Sequence, residues 1–482
     1  MPPTVAFLSA EMAPFAKTGG LGDVAAALPR YLHRAGHDVR PFLPWYGHLE
    51  LPAAPRPVPF ARDVPVRLGR WDFRFSLFET ALPGEDLPVF LVSCPPLFGR
   101  REIYSARGDE HLRFALLTRA AVESCQRMGF APRIFHANDW HTALLPLYLR
   151  THYSWDRLFA RTRTVLTLHN LAYQGVFPEW AVADLDLAPH AGLLHQEDLR
   201  AGRVSFLKTG LLHADAITAV SGTYAREILT PEHGFGLDGL LRARAGSLHG
   251  IANGIDTEIW SPERDALIPA RYSAEDLSGK DLCRSHLLQS LGLLPRPKGP
   301  VLGMVTRLTA QKGIDLAAAV VPDLLAAADV RLVVLGGGDP GHVEFFRGLQ
   351  RRFPGKAAFR TGRDEGLAHR IEAGADLFLM PSLFEPCGLN QMYSQRYGTP
   401  PVVRRTGGLA DTVTHFDRRT GEGTGFVFDH PTAAGLEWAL REALECWSDR
   451  RAWRRLQANG MAMDFSWERQ AGRYAGLYAS LS

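Results

Sequence analysis

At 482 residues the chain is too long for a single ordinary core, and its 46% hydrophobic and 22% charged residues give the balance of a soluble globular protein of two or three domains. A net charge of +3, with no dense basic cluster interleaved with aromatics, excludes a nucleic-acid partner. Five scattered cysteines without CxxC spacing exclude a disulfide framework and a structural zinc, and no stretch holds the roughly 20 apolar residues of a membrane span.

The N-terminus has no basic segment followed by an apolar stretch, which predicts no signal peptide and a cytoplasmic protein. It runs into a strand at 5–9, the loop Lys17-Thr18-Gly19-Gly20-Leu21-Gly22-Asp23, a helix over 21–35 and a strand near 39–43. That is the order of a nucleotide-binding βαβ unit. Glycines let backbone approach a ligand, and a helix N-terminus offers amides to an anion. The spacing is neither the dinucleotide nor the Walker pattern, so a tight structural turn explains the loop equally well.

A strand at 134–135 leads into His136-Ala137-Asn138-Asp139-Trp140-His141, and one at 164–168 into His169-Asn170 and then Tyr173-Gln174-Gly175. Carboxylate, imidazole and aromatic groups at strand ends suit carbohydrate recognition, and no HExxH or other compact spacing supports a metal. The triplet Asp184-Leu185-Asp186 follows no clear strand and reads as surface. Gly250 and Asn253-Gly254 give turn chemistry, placing a domain boundary near 247–254. Residues 261–300, rich in charge and proline, read as irregular surface structure.

From 301 the rhythm restarts, with strands at 301–306, 331–335, 357–360, 376–380 and 401–403 alternating with helices at 313–328, 343–353, 367–373 and 389–397. The fold class is α/β, with two Rossmann-like doubly wound domains facing a cleft, and functional groups belong just after strands. Arg307 and Lys312 follow the first of these strands. Two cations there suit a diphosphate that gains charge as it leaves, and a helix dipole disfavours them as mere solvated charges. Glu385, in Glu385-Pro386-Cys387-Gly388-Leu389-Asn390, either accepts sugar hydroxyls or caps the next helix, and the residues alone leave both readings open. The 54 basic residues include only six lysines, Lys17, Lys208, Lys280, Lys298, Lys312 and Lys356, each a candidate for a place where a guanidinium does not serve.

In order along nearly the whole chain, these motifs resemble the bacterial glycogen synthase and plant starch synthase family, the family-5 retaining glycosyltransferases of GT-B fold. The likeness runs from Ser9-Ala10-Glu11-Met12-Ala13-Pro14 through the lysine–glycine loop, the 136–141 and 168–175 stretches, Asn253-Gly254-Ile255-Asp256, 307–313 and 385–390 to Thr406-Gly407-Gly408-Leu409 and Asp464-Phe465-Ser466-Trp467-Glu468. The resemblance implies an acceptor-side domain over 1–250, a nucleotide-sugar domain over 251–464 and a C-terminal helix, 465–482, crossing back to the first. It implies Lys17, Asp139, His169, Arg307, Lys312 and Glu385 as catalytic groups. Lys17, Gly19, Gly20, Arg307, Lys312, Glu385, Cys387, Gly388, Leu389, Thr406, Gly407 and Gly408 are implied to bind the donor, and Tyr104, Asp139 and Trp140 the acceptor. The implied partners are ADP-glucose, or UDP-glucose in its place, and glycogen or another α-1,4-glucan, with no metal and no cofactor. Tyr393 stands where many related transferases carry a second glutamate, which favours the starch synthase branch. A silent glucan-binding scaffold predicts lost charges at these positions, and an oxidoreductase predicts GxGxxG after the first strand; neither is seen, and the runner-up is a different sugar-nucleotide transferase or epimerase on the same fold.

Overall fold

Short apolar runs, glycine turns and amphipathic stretches build two parallel-sheet units. The computed structural model describes residues 2–51 and 53–482, and the chain divides into one unit of Met1–Ala252 with Trp467–Ser482 and another of Asn253–Ser466. The first contains β1 (Val5–Leu8), β2 (Val39–Pro44), β3 (Arg56–Pro57), β4 (Val64–Leu68), β5 (Trp71–Ala81), β6 (Pro88–Ser93), β7 (Ile134–Asn138), β8 (Arg163–Leu168), β9 (Val176–Pro178), β10 (Arg203–Ser205), β11 (Ala216–Ala219) and β12 (Leu248–Gly250). Its sheet runs β12-β11-β8-β7-β1-β2-β6-β5-β3, with β4 on β5 and β9–β10 as a separate antiparallel pair. From β12 to β6 all neighbours are parallel, and β1, β7 and β11 are buried along their whole length, as strands covered on both faces must be.

The helix Gly20–Arg34 buries Leu21, Val24, Ala25, Leu28 and Leu32, and the helix Trp467–Leu481 buries Trp467, Ala471, Tyr474 and Tyr478, both at the three-to-four spacing of an amphipathic face. All of these side chains except Leu21 share one core with Val5, Phe7, Val39 and Ile134. The β7 strand is longer than its apolar residues predict because polar His136 and Asn138 are buried and satisfied. His136 Nδ1 meets the Tyr478 hydroxyl at 2.6 Å and its Nε2 meets Thr167 Oγ1 at 2.6 Å.

The second unit holds β13 (Val301–Val305), β14 (Arg331–Gly336), β15 (Ala357–Thr361), β16 (Leu377–Met380), β17 (Pro401–Arg404) and β18 (Phe426–Phe428), in the order β15-β14-β13-β16-β17-β18, all parallel. Strand order reverses between β13 and β16, where open α/β sheets place ligands. The expectation of irregular structure over 261–300 is corrected: Ser278–Ser290 is a helix that buries Lys280, Cys283, Leu287 and Leu288. Lys280 misled the reading. Its ammonium is buried yet bonded to Ala373 O (3.0 Å) and Thr399 Oγ1 (2.6 Å), so a charge in the pattern sits on an inward face. Among the described residues no helix is long and apolar enough to cross a membrane.

Candidate active site

In the first unit the candidate groups sit at the carboxyl ends of β1, β7 and β8. The loop after β1 is organised by Glu11, a residue that sequence reasoning quoted in a motif without giving it a role. Its Oε2 accepts the amides of Thr18 (2.6 Å) and Gly19 (3.1 Å), and its Oε1 accepts the hydroxyls of Thr18 (2.5 Å) and Tyr104 (2.5 Å). A buried carboxylate of the chain itself therefore occupies the helix start. The Gly19 amide is thus already bonded within the chain. Gly20 is the first residue of the helix, and Lys17 Nζ pairs with Asp23 at 2.7 Å while staying partly exposed. An acid ahead of a glycine-rich helix start was the available signal.

Asp139 opens the short helix Asp139–Thr142 in a left-handed conformation, φ 53°, that non-glycine residues seldom adopt. That backbone turns its carboxylate toward β8, where it accepts the His169 amide at 2.7 Å. Burial pushes its pKa up to about 7 against the opposing pull of the His169 and Asn170 amides. His169 Nε2 lies 2.9 Å from Asn138 Oδ1, and Asn138 Nδ2 donates to Leu8 O at 2.9 Å. The carbonyl of Leu8 fixes the amide orientation, so Asn138 Oδ1 is an acceptor and the His169 proton sits on Nε2. Nδ1 is left as a lone-pair acceptor, and burial drives this imidazole down to about 3, neutral at any ordinary pH.

The two aromatic candidates are less free than expected. Tyr104 stacks on His141 (5.0 Å, 23°) with its hydroxyl held by Glu11. Trp140 packs edge-on to Phe114 (5.0 Å) and near Phe177 and Phe206, and a Cβ on Gly175 would stand 2.3 Å from its ring. The Asp184–Asp186 reading is also corrected. Asp184 is buried beside His111 (3.3 Å) and Arg70 (3.6 Å), while Asp186, at φ 61°, pairs with His152 (3.2 Å). Among the described residues no group of three or more His, Cys, Asp or Glu is placed to hold a metal.

In the second unit the structure brings Lys312, Glu385 and the 406–408 turn together around the reversal of strand order. Lys312 Nζ donates to Glu385 Oε2, and so does the Ser382 hydroxyl at 3.0 Å. Arg307 is exposed and makes no side-chain bond among the described residues. The loops interlock through glycine. A Cβ would meet Pro381 O at 2.0 Å from Gly313, Glu385 O at 1.9 Å from Gly407 and Cys387 O at 2.0 Å from Gly408. Gly313, Gly388 and Gly407 have φ of 67°, 73° and 44°, and Gly408 N donates to Glu385 O at 3.0 Å. Asn390 Nδ2 anchors the far end of the turn to Val305 O at 2.6 Å. Cys387 is buried beside the Asn253 amide, its thiol pushed up to about 12 by burial. Asn253 Oδ1 and Thr309 Oγ1 are buried without a partner among the described residues, orphaned polar atoms of the kind a bound ligand satisfies. Asn253 was visible only as a turn residue.

Fixed cations, a paired carboxylate and close backbone suit a sugar joined to a diphosphate. The chain matches the family model described as "Starch synthase catalytic domain" over residues 4–243 and "Glycosyl transferases group 1" over 292–458. It is 50% identical to the glycogen synthase of Anaeromyxobacter dehalogenans (strain 2CP-1 / ATCC BAA-258) and 46% identical to that of Myxococcus xanthus (strain DK1622), in each case over 99% of both chains. Among solved structures it is similar to the catalytic domain of starch synthase IV from Arabidopsis thaliana bound to ADP and acarbose, with TM-score 0.92 and 33% identity over 100% of this chain and 99% of that one. A sucrose-phosphate synthase from Thermosynechococcus elongatus, at 18% identity and TM-score 0.64 over 99% of both chains, shares the fold.

Proposed function

The chain belongs to the glycogen synthase and starch synthase family of glycosyltransferases, and from that premise we propose that it transfers glucose from ADP-glucose to the non-reducing 4-hydroxyl of an α-1,4-glucan, with retention and release of ADP. The observation that carries this reading is the Lys312–Glu385 pair with unpaired Arg307 beside the strand-order reversal of the second unit. Arg307 and Lys312 hold the donor diphosphate. As the bond between the anomeric carbon and the phosphate oxygen breaks, their charges meet the charge that develops on the leaving group, where a fixed cation lowers the barrier most. Glu385 and the backbone of Cys387, Gly388 and Leu389 take the hydroxyls of the transferred glucose. The acceptor 4-hydroxyl forms the new bond on the same face, and its proton passes to the departing phosphate.

The reading assigns no resident metal or cofactor, since two side-chain cations do the work of charge neutralisation. In the first unit, Asp139 and the Nδ1 lone pair of His169 offer acceptors for sugar hydroxyls, held by bonds on their other sides. ADP is preferred to UDP because the starch synthase of similar structure is described as bound to ADP. The five cysteines, all buried and unpaired, suit the cytoplasm.

The test is a paired assay with glycogen primer and either ADP-glucose or UDP-glucose, with and without a chelator, following nucleotide release and chain growth. Primer-dependent growth with ADP-glucose that survives the chelator supports the whole reading. A clear preference for UDP-glucose overturns the donor, and growth with neither overturns the reaction.

A further inference from the structure

At the outer edge of the second unit's sheet, β15 pairs, among the described residues, only with β14. Leu332 N donates to Lys356 O and Gly362 N to Gly336 O, so the register turns the amides of Ala357, Phe359 and Thr361 outward. Ala357 N donates to Phe353 O (3.1 Å) and Phe359 N to Gln350 Oε1 (2.7 Å). Thr361 is left with an amide and a hydroxyl that have no partner among the described residues.

The C-terminal half of the helix Pro340–Arg352 lies against this edge. Between them is a cavity of about 280 Å³ lined by Arg347, Gln350, Arg351, Phe359, Arg360 and Thr361. Three arginines line it, and among the described residues no carboxylate does. Glu344 reaches Arg351 (2.6 Å) and Arg347 (3.8 Å) from outside the cavity, which leaves positive charge in excess. Arg360 Nη1 meets Phe359 O at 3.1 Å. Clustered guanidiniums repel one another until an anion joins them, and their forked donors match the oxygens of a phosphoryl group. Buried Phe359 supplies an apolar floor. The volume falls just under the ~300 Å³ at which pockets for drug-sized ligands begin, which suits one small molecule rather than a polymer.

We propose that this pocket binds a small phosphate monoester, its phosphoryl group on Arg347, Arg351 and Arg360 with the Thr361 amide as backbone donor and its organic part on Phe359. The site is independent of the proposed reaction. The test is calorimetric titration of inorganic phosphate and, separately, of a hexose monophosphate into the full chain at low salt with saturating ADP, which occupies any diphosphate position at Arg307 and Lys312. The ester should bind saturably, more tightly than inorganic phosphate, and more weakly as salt is raised. Arg347→Ser with Arg360→Ser should weaken it by about tenfold or more, the size of losing charge-assisted hydrogen bonds. Lys312→Ala should leave it unchanged. Both arginines are exposed, so the double variant should melt like the parent, and Arg351→Ser provides a second route to the same loss. Absence of saturation up to about 10 mM, equal affinity in the double variant, or binding of inorganic phosphate alone would each overturn the proposal.

Discussion

The two units carry their candidate groups in opposite ways. The first buries Asp139, half-buries His169 and satisfies both with backbone and an amide side chain, so desolvation sets their protonation. The second sets Lys312 against Glu385 and leaves Arg307 in solvent, so charge pairing governs, and precision comes from glycines that let three loops touch. On the proposed reading, burial in the first unit sets acceptors for sugar hydroxyls, and exposure in the second keeps permanent positive charge for a leaving diphosphate.

Lys312→Ala is the sharpest way to break that contrast. It should lower turnover by about 10²- to 10³-fold, as loss of one preorganised donor to a developing negative charge does, with glucan affinity nearly unchanged in steady-state assays. Preserved turnover with lost glucan affinity would remove the diphosphate role. Asp139→Asn tests the buried side. Because the folded value is raised from 3.8 to about 7, this carboxyl stabilises the fold fully below about pH 4, and that contribution is lost as pH rises through 7. Urea melts from pH 4 to 8 should show a fall, up to ~4 kcal/mol at about 1.4 kcal/mol per pH unit, that the variant lacks. His169 runs the other way. Its contribution is complete above 6.5 and fades as pH drops toward 3, which steepens acid denaturation in parent and variant alike.

Glu11→Gln should cost about 1–3 kcal/mol of thermal stability, because an amide nitrogen would face donors that a carboxylate now accepts. It should also loosen Lys17 and Tyr104, read as a larger change in KM for glucan than in melting. Asp184→Asn should be the mildest, about 1 kcal/mol in melts from the weakened contact with His111 and turnover unchanged, which separates a structural acid from those at the strand ends.

Much of this was legible in sequence. The alternation of apolar runs with amphipathic stretches gave both sheets, because parallel strands covered on both faces need uninterrupted apolar residues. Arg307, Lys312 and Glu385 stood out because each follows a strand, where an open α/β sheet presents its ligand groups. Lysine scarcity was a mixed guide. It pointed to Lys312, yet Lys280 and Lys356 gather backbone carbonyls, the latter from Leu325 (2.8 Å) and Ala328 (3.0 Å). What stayed hidden depended on partners distant in the chain. Glu11 reaches Tyr104, Asp184 reaches His111, and the left-handed backbone of Asp139 leaves no mark in residue type.

The helix Trp467–Leu481 belongs to the core begun by β1, yet all of residues 253–466 are made by the ribosome before it. During synthesis the first unit must wait with the apolar places for Trp467, Tyr474 and Tyr478 unfilled, while the second unit, continuous in the chain, is free to close as soon as it emerges. The two ends of the second unit lie side by side, Ile255 N donating to Phe465 O at 2.8 Å. The nascent chain thus carries an open first unit and a finished second one. Its exposed interval is a window for chaperones, and the last helix sets the moment at which that window shuts.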